Sequence, residues 1–264
     1  VSDAGGCGVL GGSALSPEEV RRRIQRVRQL TDKPFGVDLL LPASLASAST
    51  TRTGVREDLA RNHPKHVAFM HGLLEQYELA AAPVENDIVN SDAYADAQIE
   101  VVLEEEVPIF AAGLGDPARI VPRAREQGMV VIGLAGTVRN AERNRDAGVD
   151  LVVCQGTEGG GHTGPVATLP LVAQSVDAIA PVPVVAAGGI TGGRGIAAAL
   201  TLGAIGVWLG TAFLVAEEGG LPDVVKDEIV AGKATDFRVS QAWTGKTLRA
   251  KRNLLRRRLL RRYL

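Results

Sequence analysis

Of the four histidines in the chain, one stands among glycines. His162 lies in the run Gln155-Gly156-Thr157-Glu158-Gly159-Gly160-Gly161-His162-Thr163-Gly164. An imidazole takes or gives a proton near neutral pH, which suits it to general acid–base work. Flanking glycines let it approach a flat ligand without side-chain crowding. The competing reading is a solvated loop histidine, and Glu158 reads either as its orienting partner or as a solvated loop carboxylate. Two further glycine turns follow, at Gly188-Gly189-Ile190-Thr191-Gly192-Gly193 and at Gly210-Thr211. Backbone N–H groups in such turns suit a dianion such as phosphate, with the Thr211 hydroxyl as an added donor. No P-loop is present, and no G-x-G-x-x-G opens the first β-α unit. His63, His66 and His71 are spaced by three and then five with no partnering Cys, and read as solvated helix residues rather than a zinc site. Cys154 ends an apolar run and reads as core. Cys7, within Gly5-Gly6-Cys7-Gly8, is near enough in sequence to a strand to approach a site, but nothing marks it as activated.

The elements that must position these residues alternate. Apolar runs at Gly8–Leu10, Phe35–Leu41, Val107–Ala111, Met129–Leu134, Leu151–Cys154, Val182–Ala186 and Ile205–Leu209 read as strands. Such short, continuously apolar strands are buried on both faces, the pattern of a parallel sheet. Helical stretches separate them. The first opens at Ser16-Pro17-Glu18-Glu19 with a capping box, buries Val20, Ile24 and Val27, and turns Arg21, Arg22, Arg23 and Arg26 to water. Others carry Ile99, Val102 and Leu103, follow Asp116-Pro117 as far as Pro122 allows, and cover Ala141–Ala147, Leu169–Ile179 and Arg194–Leu202. Seven β-α units point to an α/β fold of the (β/α)8 TIM-barrel type, with an open doubly wound sheet as the alternative. A closed barrel needs eight strands, and the first is expected to be the missing one, ahead of a helix end at Val1–Gly6. In such a barrel the three glycine turns share the C-terminal ends of the strands, where barrel sites form. The domain expected is 1–245, with an insertion at 42–97 as a lid or a surface helix around Val67–Leu79. A basic tail is expected at 246–264.

The chain has 264 residues, 45% hydrophobic and 22% charged, with 31 Gly and 4% aromatic residues, which excludes disordered, collagen-like and disulfide-stapled classes. Two cysteines make no disulfide framework and suggest a cytoplasmic setting. No run of about 18 apolar residues suggests a membrane span. The sequence starts at Val1 without a basic and apolar leader.

These residues carry a resemblance. Ala4-Gly5-Gly6-Cys7-Gly8-Val9-Leu10-Gly11, Pro34-Phe35-Gly36-Val37-Asp38-Leu39-Leu40, Gln155 to His162, Ala186 to Ile190 and Gly210-Thr211 together resemble the nitronate monooxygenase family. The Q-G-x-E-x-G-G-H stretch is its most specific element. The resemblance implies a TIM-barrel flavoprotein with non-covalent FMN that oxidises alkyl nitronates with O2 to a carbonyl compound and nitrite. It makes His162 the catalytic base. It makes Asp38, Gln155, Gly160, Gly188, Gly189, Trp208, Leu209, Gly210 and Thr211 cofactor-binding residues, and it implies no metal. Asp38 stands where the family usually has Asn beside the flavin. A charge there disfavours the reduced ring unless the acid is protonated or paired. A similar pattern occurs in FMN-dependent enoyl-thioester reductases that use NAD(P)H, and this remains an alternative.

The net charge of −1 hides an asymmetry. Nine basic and no acidic residues lie from Lys246 to Leu264, leaving 20 basic residues against all 30 acidic ones elsewhere. Leu248, Leu255 and Leu259, with Leu254 and Tyr263 nearby, suggest an amphipathic helix docking on the acidic body or on a second copy in a homo-oligomer. An anionic membrane surface or nucleic acid is the alternative, and with it a non-enzymatic binding protein on a flavin fold. Few aromatics interleave the arginines, so base stacking is poorly supported.

Overall fold

The first strand meets the second in parallel register, Gly8 opposite Phe35 and Gly11 opposite Asp38. The structure, a computed structural model, describes residues 1–13, 15–41, 51–78, 91–241 and 244–252. It divides into two compact units, Val1–Val130 and Val131–Leu264.

In the first unit β1 (Gly8–Gly11), β2 (Phe35–Leu41) and β3 (Ile109–Gly115) alternate with helices α1 (Pro17–Leu30), α2 (Arg52–Asn62), α3 (Pro64–Gln76), α4 (Asp92–Glu104) and α5 (Val121–Glu126). β3 lies parallel to β2, with a register shift between Leu39 and Leu40. The Ser16 hydroxyl accepts from the Glu19 amide at 3.1 Å, the expected cap of α1. Val20 and Ile24 are fully buried beside Val37, Leu39, Val102 and Phe110, which form the core of this unit.

Two expectations need correction here. Arg21 does not simply face water: its guanidinium pairs with Glu104 and, at 2.9 Å, with Glu105, while Arg28 reaches Glu105 at 2.8 Å. These pairs lie between α1 and α4, which pack together, so charge periodicity alone misjudged the face. The third strand begins at Ile109 rather than Val107 and runs on through Gly113 and Gly115, whose lack of side chain hid them from an apolar count. Pro117–Arg119 forms a 3-10 turn, and Pro122 falls in the first turn of the short α5, where a missing N–H is tolerated. Of the segment 42–97, residues 42–50 and 79–90 lie outside the described residues. The rest forms α2, α3 and the start of α4.

The second unit holds β4 (Val130–Ala135), α6 (Val138–Ala147), β5 (Leu151–Gln155), β6 (Gly161–His162), α7 (Thr168–Ile179), β7 (Val184–Ala187), α8 (Gly193–Thr201), β8 (Gly206–Trp208), α9 (Thr211–Leu214), α10 (Asp223–Val230), β9 (Phe237–Ser240) and β10 (Leu248–Lys251). β4, β5, β7 and β8 pair in that order, all parallel. Val152, Val153, Cys154, Val184 and Ala186 are buried, as expected of strands covered on both faces. A second, antiparallel sheet of order β6-β10-β9 was not foreseen. It corrects the helical reading at its first residues: Leu248–Lys251 is a strand, because its backbone pairs with β9 on one side and β6 on the other. Residues 253–264, with the rest of that expected apolar face, lie outside the described residues.

Seven parallel strands, three in one unit and four in the other, alternate with helices among the described residues. The fold class is α/β, of the TIM-barrel type with one strand fewer than eight. No helix among the described residues is long and apolar enough to cross a membrane.

Candidate active site

The three glycine turns meet within the second unit. The loop after β5 begins at Gln155, whose Nε2 donates to the His162 carbonyl at 2.8 Å and so closes the loop on itself. The Gly156 amide donates to the Ala187 carbonyl at 3.0 Å, tying the loop to the end of β7. A Cβ on Gly156 would lie 2.2–2.4 Å from Thr168 Oγ1, N and Cα, so only glycine fits there. A Cβ on Gly160 would stand 2.6 Å from Thr211 Oγ1, and one on Gly189 would stand 2.9 Å from the Glu158 Cβ. Residues that are 12, 31 and 51 positions apart in sequence thus come within side-chain reach of each other. Gly188 and Gly189 adopt φ of 103° and 70°, a turn that L side chains adopt only with strain.

Glu158 is neither the orienting partner of His162 nor a free carboxylate. Its Oε2 accepts from the Thr168 amide at 2.9 Å and from the Thr168 hydroxyl at 2.8 Å. It caps α7, whose own N-cap residue, Ala167, has no side chain to do so. The carboxylate charge is thereby directed at a helix N-terminus. The buried Thr168 oxygen also lies 3.0 Å from the Gly188 carbonyl, which fixes the Gly188-Gly189 turn. A cleft of about 170 Å³ adjoins this turn and is lined by Glu158, Thr168, Val172, Gly188, Gly189 and Ile190, among others.

His162 sits in β6, opposite Leu248 of β10. Its Nε2 lies 2.9 Å from Thr244 Oγ1. The Thr163 amide donates to the Thr247 carbonyl at 3.1 Å, so the same C-terminal segment holds both the histidine's backbone and its ring. Sequence reading missed Thr244: it stands 82 residues from His162, and no local pattern signals the pairing. Trp208 ends β8, Leu209 follows it half-buried, and Gly210 and Thr211 are exposed at the start of α9.

Asp38 belongs to the first unit. It lies in β2 opposite Gly11 and Ala111, with its Oδ1 buried and without a hydrogen-bond partner. A Cβ on Gly113 would be 2.6 Å from that oxygen, so the glycine makes room for the carboxyl. Burial pushes the Asp38 carboxyl up to about 7, against a smaller downward pull from the Gly113 amide. In the same unit, buried Gln98 donates to the Gly12 and Leu15 carbonyls at 2.9 and 2.7 Å, and the Tyr94 hydroxyl reaches Leu15 at 2.6 Å. Together they fix the loop after β1.

The cysteines stay outside the chemistry. Cys7 precedes β1, at the opposite end of the strand from its C-terminal turn, and partial burial raises its thiol pKa. Cys154 is buried in β5, and burial raises its thiol too. His63 lies between α2 and α3, and His66 and His71 lie in α3, all exposed. No cluster of potential metal ligands occurs among the described residues.

The positive-φ Gly188-Gly189 turn, within side-chain reach of the loop that carries His162, leaves backbone amides free of side-chain cover, as an anionic ligand end requires. Glu158 also lines the cleft, but its carboxylate is engaged by Thr168; the rest of the lining is mostly apolar, and His162 and Gly210-Thr211 stand outside it.

The chain is thus an α/β protein of the TIM-barrel type with glycine turns after its strands and a histidine in one of them. The family model described as nitronate monooxygenase matches residues 1–262, and the chain belongs to that family. A chain of Mycobacterium tuberculosis bearing a monooxygenase name is 41% identical over 262 residues, covering 94% of this chain and 68% of its own length. A probable nitronate monooxygenase of Staphylococcus saprophyticus is 35% identical over 268 residues, 96% of this chain and 70% of that one. Among solved structures, nitroalkane oxidase from Streptomyces ansochromogenes matches with a TM-score of 0.80 at 32% identity, over 100% of this chain and 73% of that one. FabK from Thermotoga maritima matches with a TM-score of 0.74 at 32% identity, over 98% and 67% respectively.

Proposed function

We propose that the chain is an FMN-dependent nitronate monooxygenase, oxidising alkyl nitronates with O2 to a carbonyl compound and nitrite. The observation that carries the reading is the meeting of the β5 loop, the Gly188-Gly189 turn and the Gly210-Thr211 turn beside His162. Family membership supplies the reaction class.

The amides of the Gly188-Gly189 and Gly210-Thr211 turns, with the Thr211 hydroxyl, hold the FMN phosphate. Gln155 and Gly160 lie along the flavin, with Trp208 and Leu209 leading into the second phosphate turn. Asp38 is assigned to the flavin by the resemblance, and a carboxyl titrating near 7 is largely neutral below that pH, which removes the objection to an acid beside a reducible ring. When bound, FMN supplies the two-electron oxidation and passes the electrons to O2. His162 orients the anionic nitronate, or takes the proton next to a nitro group from a neutral nitroalkane. The Gln155 side chain keeps His162 in place through its backbone carbonyl. The protein is expected to act in the cytoplasm on small molecules, with a second copy as the partner for its basic C-terminal segment.

The likeness to FabK favours one second reading, an NAD(P)H-dependent enoyl-thioester reductase on the same site. One pair of assays separates the two. Nitrite release from propyl-2-nitronate and O2 without any nicotinamide supports the monooxygenase. NADPH oxidation driven by a crotonyl thioester, with no nitrite from nitronates, supports the reductase.

A further inference from the structure

The His162 ring has two nitrogens, and one of them is already engaged. Nε2 faces Thr244 Oγ1 at 2.9 Å, the shortest contact that hydroxyl makes among the described residues. The Thr244 oxygen also lies 3.5 Å from the Lys246 carbonyl and 3.4 Å from the Lys246 amide. Two polarities are open. If the hydroxyl donates to Nε2, that lone pair is consumed and the neutral ring carries its proton on Nδ1, so no nitrogen is left to act as a base. If Nε2–H donates to Oγ1, the hydroxyl proton turns toward the Lys246 carbonyl and Nδ1 keeps a free lone pair.

We propose that Thr244 is a positioning residue that holds His162 as the Nε2–H tautomer, leaving Nδ1 to accept the substrate proton. The inference rests on the role given to His162 above and deepens it. In the step, the C–H bond next to the nitro group breaks and its electron pair stays on the substrate as the nitronate. The proton goes to Nδ1, and the resulting imidazolium keeps its Nε2–H on Thr244. The surrounding backbone serves the same end. His162 pairs with Leu248 in β10, the Thr163 amide donates to Thr247, and Gln155 holds the His162 carbonyl. Residues 244–248 therefore fix both the ring and its backbone, which gives the β9–β10 hairpin a part in the chemistry that its sequence does not announce. Thr244 is exposed, so water competes for the same bond and the expected effect is modest.

The test is nitrogen NMR of the full chain labelled with 15N-histidine, recorded with and without added FMN. Signals of His162 are assigned by their loss in His162→Asn. The expected result is a protonated Nε2 and a bare Nδ1 in the wild type and in Thr244→Ser. Thr244→Val is expected to show mixed tautomers and about five- to tenfold slower proton abstraction from a nitroalkane. A wild-type ring protonated at Nδ1 would overturn the proposal, whatever Thr244→Val does. An unchanged tautomer in Thr244→Val would overturn it as well. A wild type that has the Nε2–H tautomer but releases no nitrite supports the hold of Thr244 on the ring and contradicts the proposed function instead.

Discussion

Replacing Asp38 by Asn isolates the energy stored in one buried carboxyl. In the folded chain this group titrates near 7, against 3.8 for the ordinary side chain, because burial penalises its charge more than the Gly113 amide relieves it. Between those two values the unfolded chain has released the proton and the folded chain has kept it. The unfolded state therefore binds fewer protons, and stability falls as pH rises through the window. Each pH unit removes about 1.4 kcal/mol, and the whole gap is worth about 4 kcal/mol, with no further loss above roughly pH 7. Asn has nearly the same shape and does not titrate. Thermal melts of the wild type and Asp38→Asn, from about pH 4 to about pH 8, should show the variant gaining on the wild type as pH rises, by roughly 10 °C in all. The difference should then level off. Any fixed offset from rearranged hydrogen bonds cancels in that comparison. A gap that does not change with pH would refute the reasoning, and one that shrank with rising pH would mean that Asp38 is stabilised as the anion.

His162→Asn should slow nitronate or nitroalkane turnover by about 10²–10⁴-fold while FMN stays bound, measured as nitrite release and bound-flavin absorbance. An unchanged rate removes His162 from its role. Glu158→Ala strips the cap from α7 and should cost about 1–2 kcal/mol, seen as a melting temperature lower by about 2–8 °C, with Glu158→Gln recovering part of the loss. Gln98→Leu removes one donor each from the Gly12 and Leu15 carbonyls, which keep the Leu15 amide and the Tyr94 hydroxyl. It should destabilise by about 1–2 kcal/mol and speed hydrogen exchange in the loop after β1.

Much of this architecture was legible in the sequence because its signals are local. Phe35–Leu41 is a continuous apolar run interrupted only at Asp38, and it forms β2 over the same residues. Ser16, Pro17 and Glu19 announce the start of α1 within four positions. The glycine turns were legible as turns, and His162 as the histidine among them. What was not legible depends on contacts between distant segments. Thr168 is an ordinary threonine until Glu158 and Gly188 close around it. Leu248–Lys251 alternates apolar and polar residues in a way that fits the edge of a helical stripe, and only its pairing with β6 and β9 makes it a strand. Gly113 carries no sequence signal, yet it is the residue that leaves room for the carboxyl of Asp38.

The central claim is that glycine turns in the second unit hold the phosphate end of FMN beside His162. The most direct measurement is the flavin content of the purified full chain, by absorption spectrum and by release and identification of the bound nucleotide. The account predicts a yellow protein that releases close to one FMN per chain, with Gly189→Val lowering that content while the fold persists. A folded chain that stays colourless and takes up no added FMN would contradict it.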